Sequence, residues 1–456
     1  MIDSREWSIE KEINHPEDLV SEVDYLRLWT EVAVEGLRIA DEARKGLGVD
    51  YLESINAVYA FDSDFQGGNE ISAEWIAMPA APYESVSFDK KGRIQTGVIL
   101  EAYTRPRSPF LLRRVDGKLT LEKNGIYLLD VEFLPRPKYL DKKTSDGIAC
   151  KHLIAQVGSA WLVNVPSQYC YYFKDGDECK FCNLVETGKV YHPGIKVKKP
   201  EQVAEALSIA MEENQSIGVS LCGGSFPGTS GHEQYIAIIR AIQERKLNGD
   251  ARSDGSVPID CIAGAPRPDE LYKIDEFKKS GARFFQANLE IGDPKWFEAV
   301  CPGKAKAVGY ENWIHALEYA TEIFGKTGRV RSHLVAGIEP ARTLLDAVRR
   351  LAEKGIIAWA NPWKPSNGSQ LENHRTPLPL WFFKLYDRMS DIYIHAGFSY
   401  EANIADLAPR NADISLLFNF WRVKTGIRTT DMWKGYFNQG SAPNPAQGPQ
   451  ALENPV

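Results

Sequence analysis

The sequence predicts an α/β protein, a full or partial (β/α) barrel that follows an N-terminal α+β domain. Three observations predict it. From residue 155 onward, short apolar runs alternate with helical patterns. Those runs are almost unbroken in apolar residues, as strands buried on both faces are. Before residue 150 the apolar runs are instead short and alternating, broken by Gly, Pro and Asp, which is the pattern of strands and turns.

Taken in order, the chain opens with an amphipathic helical pattern over 19–46 ended by glycines. The runs "SINAVYAF", "TGVILEAYT" and "GIYLLDVEFL" follow as strands, and the polar, Pro-containing segment 135–147 reads as a linker. Residues 1–150 are therefore expected to form a domain of their own, whose residues do not declare a task. In the barrel core, 151–375, strands are expected at 160–166, 216–222, 257–263, 282–290, 329–337 and 355–362, with helices at 199–214, 268–281 and 341–355 among the connections. A barrel places its chemistry at the C-terminal ends of its strands. The competing architecture, an open doubly wound sheet, lacks a G-x-G-x-x-G after its first strand. A helical extension over 376–437 and a disordered tail over 438–456, rich in Pro, Asn, Gln and Ala, complete the expectation.

Composition narrows the function classes. With 43% hydrophobic and 25% charged residues the chain is globular, and its net charge of −7 argues against a general nucleic-acid binder. No uninterrupted apolar stretch approaches the length of a membrane span, and residues 1–18 lack the apolar core of a secretory signal. Few, irregularly spaced cysteines point to reduced thiols and a cytoplasmic protein.

Three of the seven cysteines, Cys170, Cys179 and Cys182, fall on one aromatic-rich loop directly after the first barrel strand. Three thiolates are one too few for a closed zinc site and an odd number for disulfides, but suit an iron–sulfur cluster with one open iron. Zinc completed by His192 or a further cysteine is the alternative. The second strand ends in "CGGSFPG" (222–228), whose glycines let backbone approach a ligand or merely turn tightly. The fourth ends in "NLEIGD", where Asn288 and Glu290 share one face. The fifth carries Arg331 and His333, then Gly337 and Glu339; each is either a site residue or part of the scaffold. Asn361, Trp363 and Lys364 follow the sixth strand, facing a substrate or closing a loop.

In this order the motifs resemble the radical S-adenosylmethionine (SAM) superfamily, in particular its biotin synthase-like branch, over about 155–370. The resemblance implies that Cys170, Cys179 and Cys182 hold a [4Fe-4S] cluster and that SAM binds the open iron through its amino and carboxylate groups. It places Phe181 near the adenine, gives Gly223, Gly224 and Ser225 the amino-group contact, and makes Asn288, Glu290, Arg331 and Gly337 further SAM-site candidates. The implied activity is reductive cleavage of SAM to a 5′-deoxyadenosyl radical that abstracts hydrogen from a small-molecule substrate, with an electron donor such as flavodoxin or ferredoxin as partner. Two departures mark an atypical subfamily. The first cysteine gap is eight residues where the family has three, and Ser225 stands where an acid is usual. Cys222 and Cys261 stay open as site ligands, and Cys301, in "CPGK", reads as structural. A zinc-binding interaction module, a metal-free barrel enzyme, and a transferase using the methyl or aminocarboxypropyl group of SAM are the alternatives.

Overall fold

The computed structural model describes residues 12–19, 22–45, 75–77, 86–88, 94–96, 99–101, 105–133, 138–157, 160–165, 169–186, 195, 197–213, 218–226, 230–247, 257–326, 328–399 and 412–426. The expected strand at 54–61, the tail 438–456 and His192 lie outside them.

The helical pattern expected over 19–46 is helical only over Glu22–Glu35 (α1). Gly36 takes a left-handed conformation (φ 64°) and its amide closes on Val32, so the chain turns out of the helix there. Arg38–Ile39 (β1) then pairs in parallel with Phe110–Val115 (β6), and Asp41–Arg44 forms one further turn (α2). Trp75–Ala77 (β2), Val86–Phe88 (β3), Ile94–Thr96 (β4), Ile99–Glu101 (β5), Lys118–Lys123 (β7) and Ile126–Phe133 (β8) make up the rest of the N-terminal strands. Their main sheet has the order β1-β6-β7-β8-β2-β5, and β3 pairs with β4 separately.

The second sheet carries the site. Its strands are Ala155–Val157 (β9), Ala160–Asn164 (β10), Gly218–Cys222 (β11), Ile259–Ile262 (β12), Phe284–Gln286 (β13), Val330–Ala336 (β14) and Ile357–Pro362 (β15). They lie side by side in chain order; β10 to β15 are parallel, and β9 runs antiparallel at the edge. A doubly wound sheet reverses its strand order at a switch point. This one never does, so it is the partial (β/α) barrel.

The connecting helices are Pro200–Glu213 (α3), Ser230–Glu244 (α4), Tyr272–Ser280 (α5), Pro294–Val300 (α6), Pro302–Ala307 (α7), Tyr310–Phe324 (α8) and Ala341–Glu353 (α9), followed by Pro379–His395 (α10) and Ala412–Thr425 (α11). Helix α8 turns one apolar stripe to β13 and β14. It consists of Trp313, Leu317, Ala320 and Phe324, spaced by three and four residues. Burying each of the large side chains in such a stripe contributes about 1.5–3 kcal/mol.

The open edge at β15 is covered by α10. Tyr393 Oη accepts from the Ala358 amide (2.7 Å) and donates to the Ala358 carbonyl (2.6 Å), while Tyr386 Oη donates to the Ala360 carbonyl (2.7 Å). Two phenols thus occupy backbone groups that a further strand would pair, which protects an edge without closing the barrel. On its other side α10 packs against α1 and α11.

The strand expected over 282–290 is regular only to Gln286. The Ser332 hydroxyl enters the ladder, accepting from the Leu289 amide (3.0 Å) and donating to the Ala287 carbonyl (3.0 Å), and pairing resumes at Glu290 opposite Leu334. A side chain replaces one rung, and the chain beyond it is free to bend over the barrel mouth. The helix expected over 268–281 likewise begins as a 3-10 turn, Pro268–Glu270, before α5.

Candidate functional site

The cysteine loop crosses the C-terminal ends of the strands and is tied down on three sides. Toward the β11–α4 connection, the Tyr171 amide donates to the Ser225 carbonyl (2.6 Å) and the Ser225 amide to Cys170 Sγ (3.4 Å). Toward α6 and α7, the Lys180 amide donates to Val300 (2.9 Å) and the Gly303 amide to Asp177 (2.8 Å), with a Lys306–Asp177 ion pair outside (2.6 Å). Toward the segment after β15, Leu371 donates to the Lys180 carbonyl (3.1 Å) and Gln370 to Glu178 (2.6 Å).

Two glycines make this contact possible. A Cβ on Gly224 would lie 2.2 Å from the Tyr169 carbonyl oxygen and 2.5 Å from Cys170 Cβ; one on Gly303 would lie 2.4 Å from the Tyr172 ring. Neither distance is tolerable, so the Gly-Gly pair after β11 is more than a turn: only a residue without a side chain lets Cys170 lie there.

Cys170, Cys179 and Cys182 are free thiols, partly covered by the loop. They are close enough to act on one another's ionisation. Burial pushes up the thiols of Cys170 and Cys182, and in each the neighbouring thiolates add to the rise. Cys179 moves the other way, held down chiefly by a hydrogen bond with Cys301 and helped by the Lys304 charge against the cost of burial. Among the described residues, no three His, Cys, Asp or Glu side chains converge on the position of a single metal ion. Three mutually repelling, partly covered thiols beside a lysine are a donor set that a cationic centre wider than one ion fits.

Glu290 lies at the same mouth, in a left-handed backbone conformation (φ 69°) that a residue with a Cβ adopts only when its surroundings enforce it. Its amide donates to His333 (2.8 Å) and its carbonyl accepts from Val335 (2.7 Å), which fixes it. The carboxylate meets Lys304 Nζ at 2.8 Å and His333 Nδ1 at 3.3 Å. Burial would raise its pKa, but Lys304 and His333 outweigh that and bring it down to about 2. Lys304 also donates to the Asn288 carbonyl (2.8 Å) and lies 4.8 Å from the centre of the Trp313 ring. The Asn288 amide group is engaged separately, accepting from Gln286 (2.7 Å).

Arg331 is the correction. Parity along β14 puts it on the face of His333, yet it is the second residue of the strand and lies at the opposite end of the barrel from the cysteines. Its side chain has no exposed surface, stacks 4.0 Å from the Phe284 ring, donates to Asp260 at 2.8 Å and to the Gly328 carbonyl at 3.3 Å, all from the starts of neighbouring strands or the turn before β14. It belongs to the barrel floor.

Of the remaining candidates, Gly223, Gly224 and Ser225 lie under the cysteine loop, Phe181 within it, and Gly337 (φ 104°) in the turn that leaves β14. Glu339, after that turn, accepts from the amides of Gly292 and Asp293 and from the Thr343 hydroxyl (2.7 Å), which ties two mouth loops together. Cys222 and Cys261 are buried within β11 and β12; burial lifts the Cys222 thiol to about 12. Cys301 joins α6 to α7 against Cys179. Lys304 was not among the sequence candidates. Its signal was the "CPGK" segment, where a Pro-Gly pair opens a helix lying directly on the cysteine loop.

No family model matches the chain. Residues amounting to 51% of it are similar, at 23% identity over 245 residues, to the bacteriochlorophyllide c C-7(1)-hydroxylase of Chlorobaculum limnaeum, an enzyme by its name, of whose length the match spans 60%. Among solved structures, HydG, a maturase of the [FeFe]-hydrogenase, matches 52% of the chain and 49% of its own length with 17% identity and a TM-score of 0.39, a likeness too slight to carry an argument. No helix among the described residues is long and apolar enough to cross a membrane.

Proposed function

We propose that the protein is a radical SAM enzyme whose cluster is held by Cys170, Cys179 and Cys182. The observation that carries this reading is the set of three thiols on one loop over the strand ends, near enough to shift each other's ionisation and backed by a buried lysine. When bound, a [4Fe-4S] cluster supplies the electron that cleaves SAM to methionine and a 5′-deoxyadenosyl radical, which abstracts hydrogen from a small-molecule substrate.

The chain's own residues bind and orient. Gly223, Gly224 and Ser225 offer backbone groups to the amino end of SAM, Phe181 an aromatic face to its adenine, and Gly337 a close backbone approach. Lys304 replaces Arg331 in our assignment of the SAM carboxylate. Two of the three donors of its ammonium are committed to Glu290 and Asn288, and the third is the handle. Glu290 stays ionised and holds Lys304 in place; Asn288 and Glu290 are then positioning residues at the SAM site. Residues 1–150, 151–375, 376–437 and 438–456 are the corresponding N-terminal domain, barrel core, helical extension and tail. A cytoplasmic location and a flavodoxin- or ferredoxin-like electron donor go with this reading.

The test is product analysis. Reconstituted protein given a strong reductant and SAM is expected to release 5′-deoxyadenosine. Release of S-adenosylhomocysteine or methylthioadenosine alone would redirect the reading to methyl or aminocarboxypropyl transfer.

A further inference from the structure

Where α6 and α7 meet the cysteine loop, two hydrogen bonds cross in opposite directions. The Lys180 amide donates to the Val300 carbonyl (2.9 Å), and the Gly303 amide donates to the Asp177 carbonyl (2.8 Å). The two segments therefore run past each other as an antiparallel pair does. That register sets Cys179 opposite Cys301, between the two bonds. Their side chains meet, and one sulfur hydrogen-bonds to the other.

Cys301 is fixed by its own backbone. Its amide donates to the Phe297 carbonyl (2.8 Å) to finish α6, and its carbonyl accepts from the Ala305 amide (3.0 Å) to start α7. The side chain has no exposed surface, so water does not compete for the bond. A cysteine that binds iron has given up its proton, so the hydrogen between the two sulfurs then belongs to Cys301. Cys170 receives a bond as well, from the Ser225 amide (3.4 Å), but that donor is backbone and no side-chain substitution removes it. The donor to Cys179 is a side chain.

We propose that Cys301 is a tuning residue, whose S–H donates a hydrogen bond to the Cys179 sulfur and raises the reduction potential of the cluster. This rests on the cluster reading above. Reduction places added negative charge partly on the ligand sulfurs, and a donor aimed at one of them stabilises the reduced form more than the oxidised one. The cluster then accepts its electron from a less strongly reducing donor.

Potentiometric titration of the anaerobically reconstituted full chain, followed by the electron paramagnetic resonance of the reduced cluster, reads the effect. Cys301→Ala should shift the reduction equilibrium toward the oxidised form roughly tenfold, the worth of one hydrogen bond. For one electron that is about 59 mV. Cys301→Val, which fills the space and leaves no room for a water to replace the thiol, should do the same. Cys301→Ser keeps a donor and should hold the potential at or above that of the wild type. Electron–nuclear double resonance in D2O should show one exchangeable proton coupling that the wild type and Cys301→Ser have and Cys301→Val lacks. Iron content separates the two levels of the reading. A wild type that assembles no cluster would overturn both, whereas full clusters with equal potentials in wild type, Cys301→Ala and Cys301→Val would overturn this inference alone. A potential in Cys301→Ser lowered as far as in Cys301→Ala would likewise overturn it, making the effect one of packing.

Discussion

Two buried ion pairs lie at opposite ends of the barrel strands, Arg331–Asp260 and Lys304–Glu290, each with a nitrogen–oxygen distance of 2.8 Å and each with its cation over an aromatic ring. One lies at the starts of the strands, sealed on every side; the other lies past their ends, among thiols. In the reading proposed above, the same chemistry is scaffold or site according to height along the barrel, because barrels place their ligand-facing groups at the C-terminal ends of their strands. Residue type and strand parity do not decide it.

The floor pair should give the largest stability effect. Arg331→Met leaves Asp260 buried without its ion-pair partner, and about 3–5 kcal/mol of stability should be lost by denaturant titration. The protein that remains folded should keep its iron content and SAM affinity. A weakened SAM affinity with unaltered stability would reverse the two assignments.

The mouth pair should report on ligand instead. Losing one charge-assisted hydrogen bond contributes about 1.5–3 kcal/mol, so Lys304→Met should raise the SAM dissociation constant roughly 10- to 150-fold while iron is retained. Unchanged SAM affinity in calorimetry would return Lys304 to the scaffold.

The smallest expected effect is a pH dependence. Glu290 has its folded pKa lowered to about 2, below the ordinary carboxylate value, so its contribution is fully present above that ordinary value and is lost as pH falls through about 2. The stability difference between wild type and Glu290→Gln should stay level from about pH 8 to 5 and shrink below about pH 4. A difference that fades already between pH 7 and 6 would mean that Glu290 is not held ionised by Lys304.

Much of the barrel was legible because strands buried on both faces leave unbroken apolar runs, as in "GVSLC" and "IAWANP". What was hidden involved single side chains. Gly36 ended a helix whose amphipathic pattern continued past it, and Ser332 replaced a rung of the ladder that the sequence of "ARFFQANLE" does not reveal. Parity gave Arg331 the right face but carries no information about depth. Lys304 was invisible because a lysine on a helix ordinarily reads as solvent-facing; it is buried here since Gly303 lets α7 press onto Tyr172. The cysteine spacing gave the candidate ligands at once, but the reason for Gly224 needed the loop above it.

The central claim is that Cys170, Cys179 and Cys182 hold a site-differentiated cluster, and iron and sulfide analysis with Mössbauer spectroscopy on the anaerobically reconstituted protein tests it most directly. About four iron and four sulfide per chain, with the spectrum of a [4Fe-4S] cluster that disappears in Cys170→Ala, Cys179→Ala and Cys182→Ala and persists in Cys301→Ala, is the predicted result. Stoichiometric zinc without iron, or wild-type cluster content in any of the three loop variants, would contradict it.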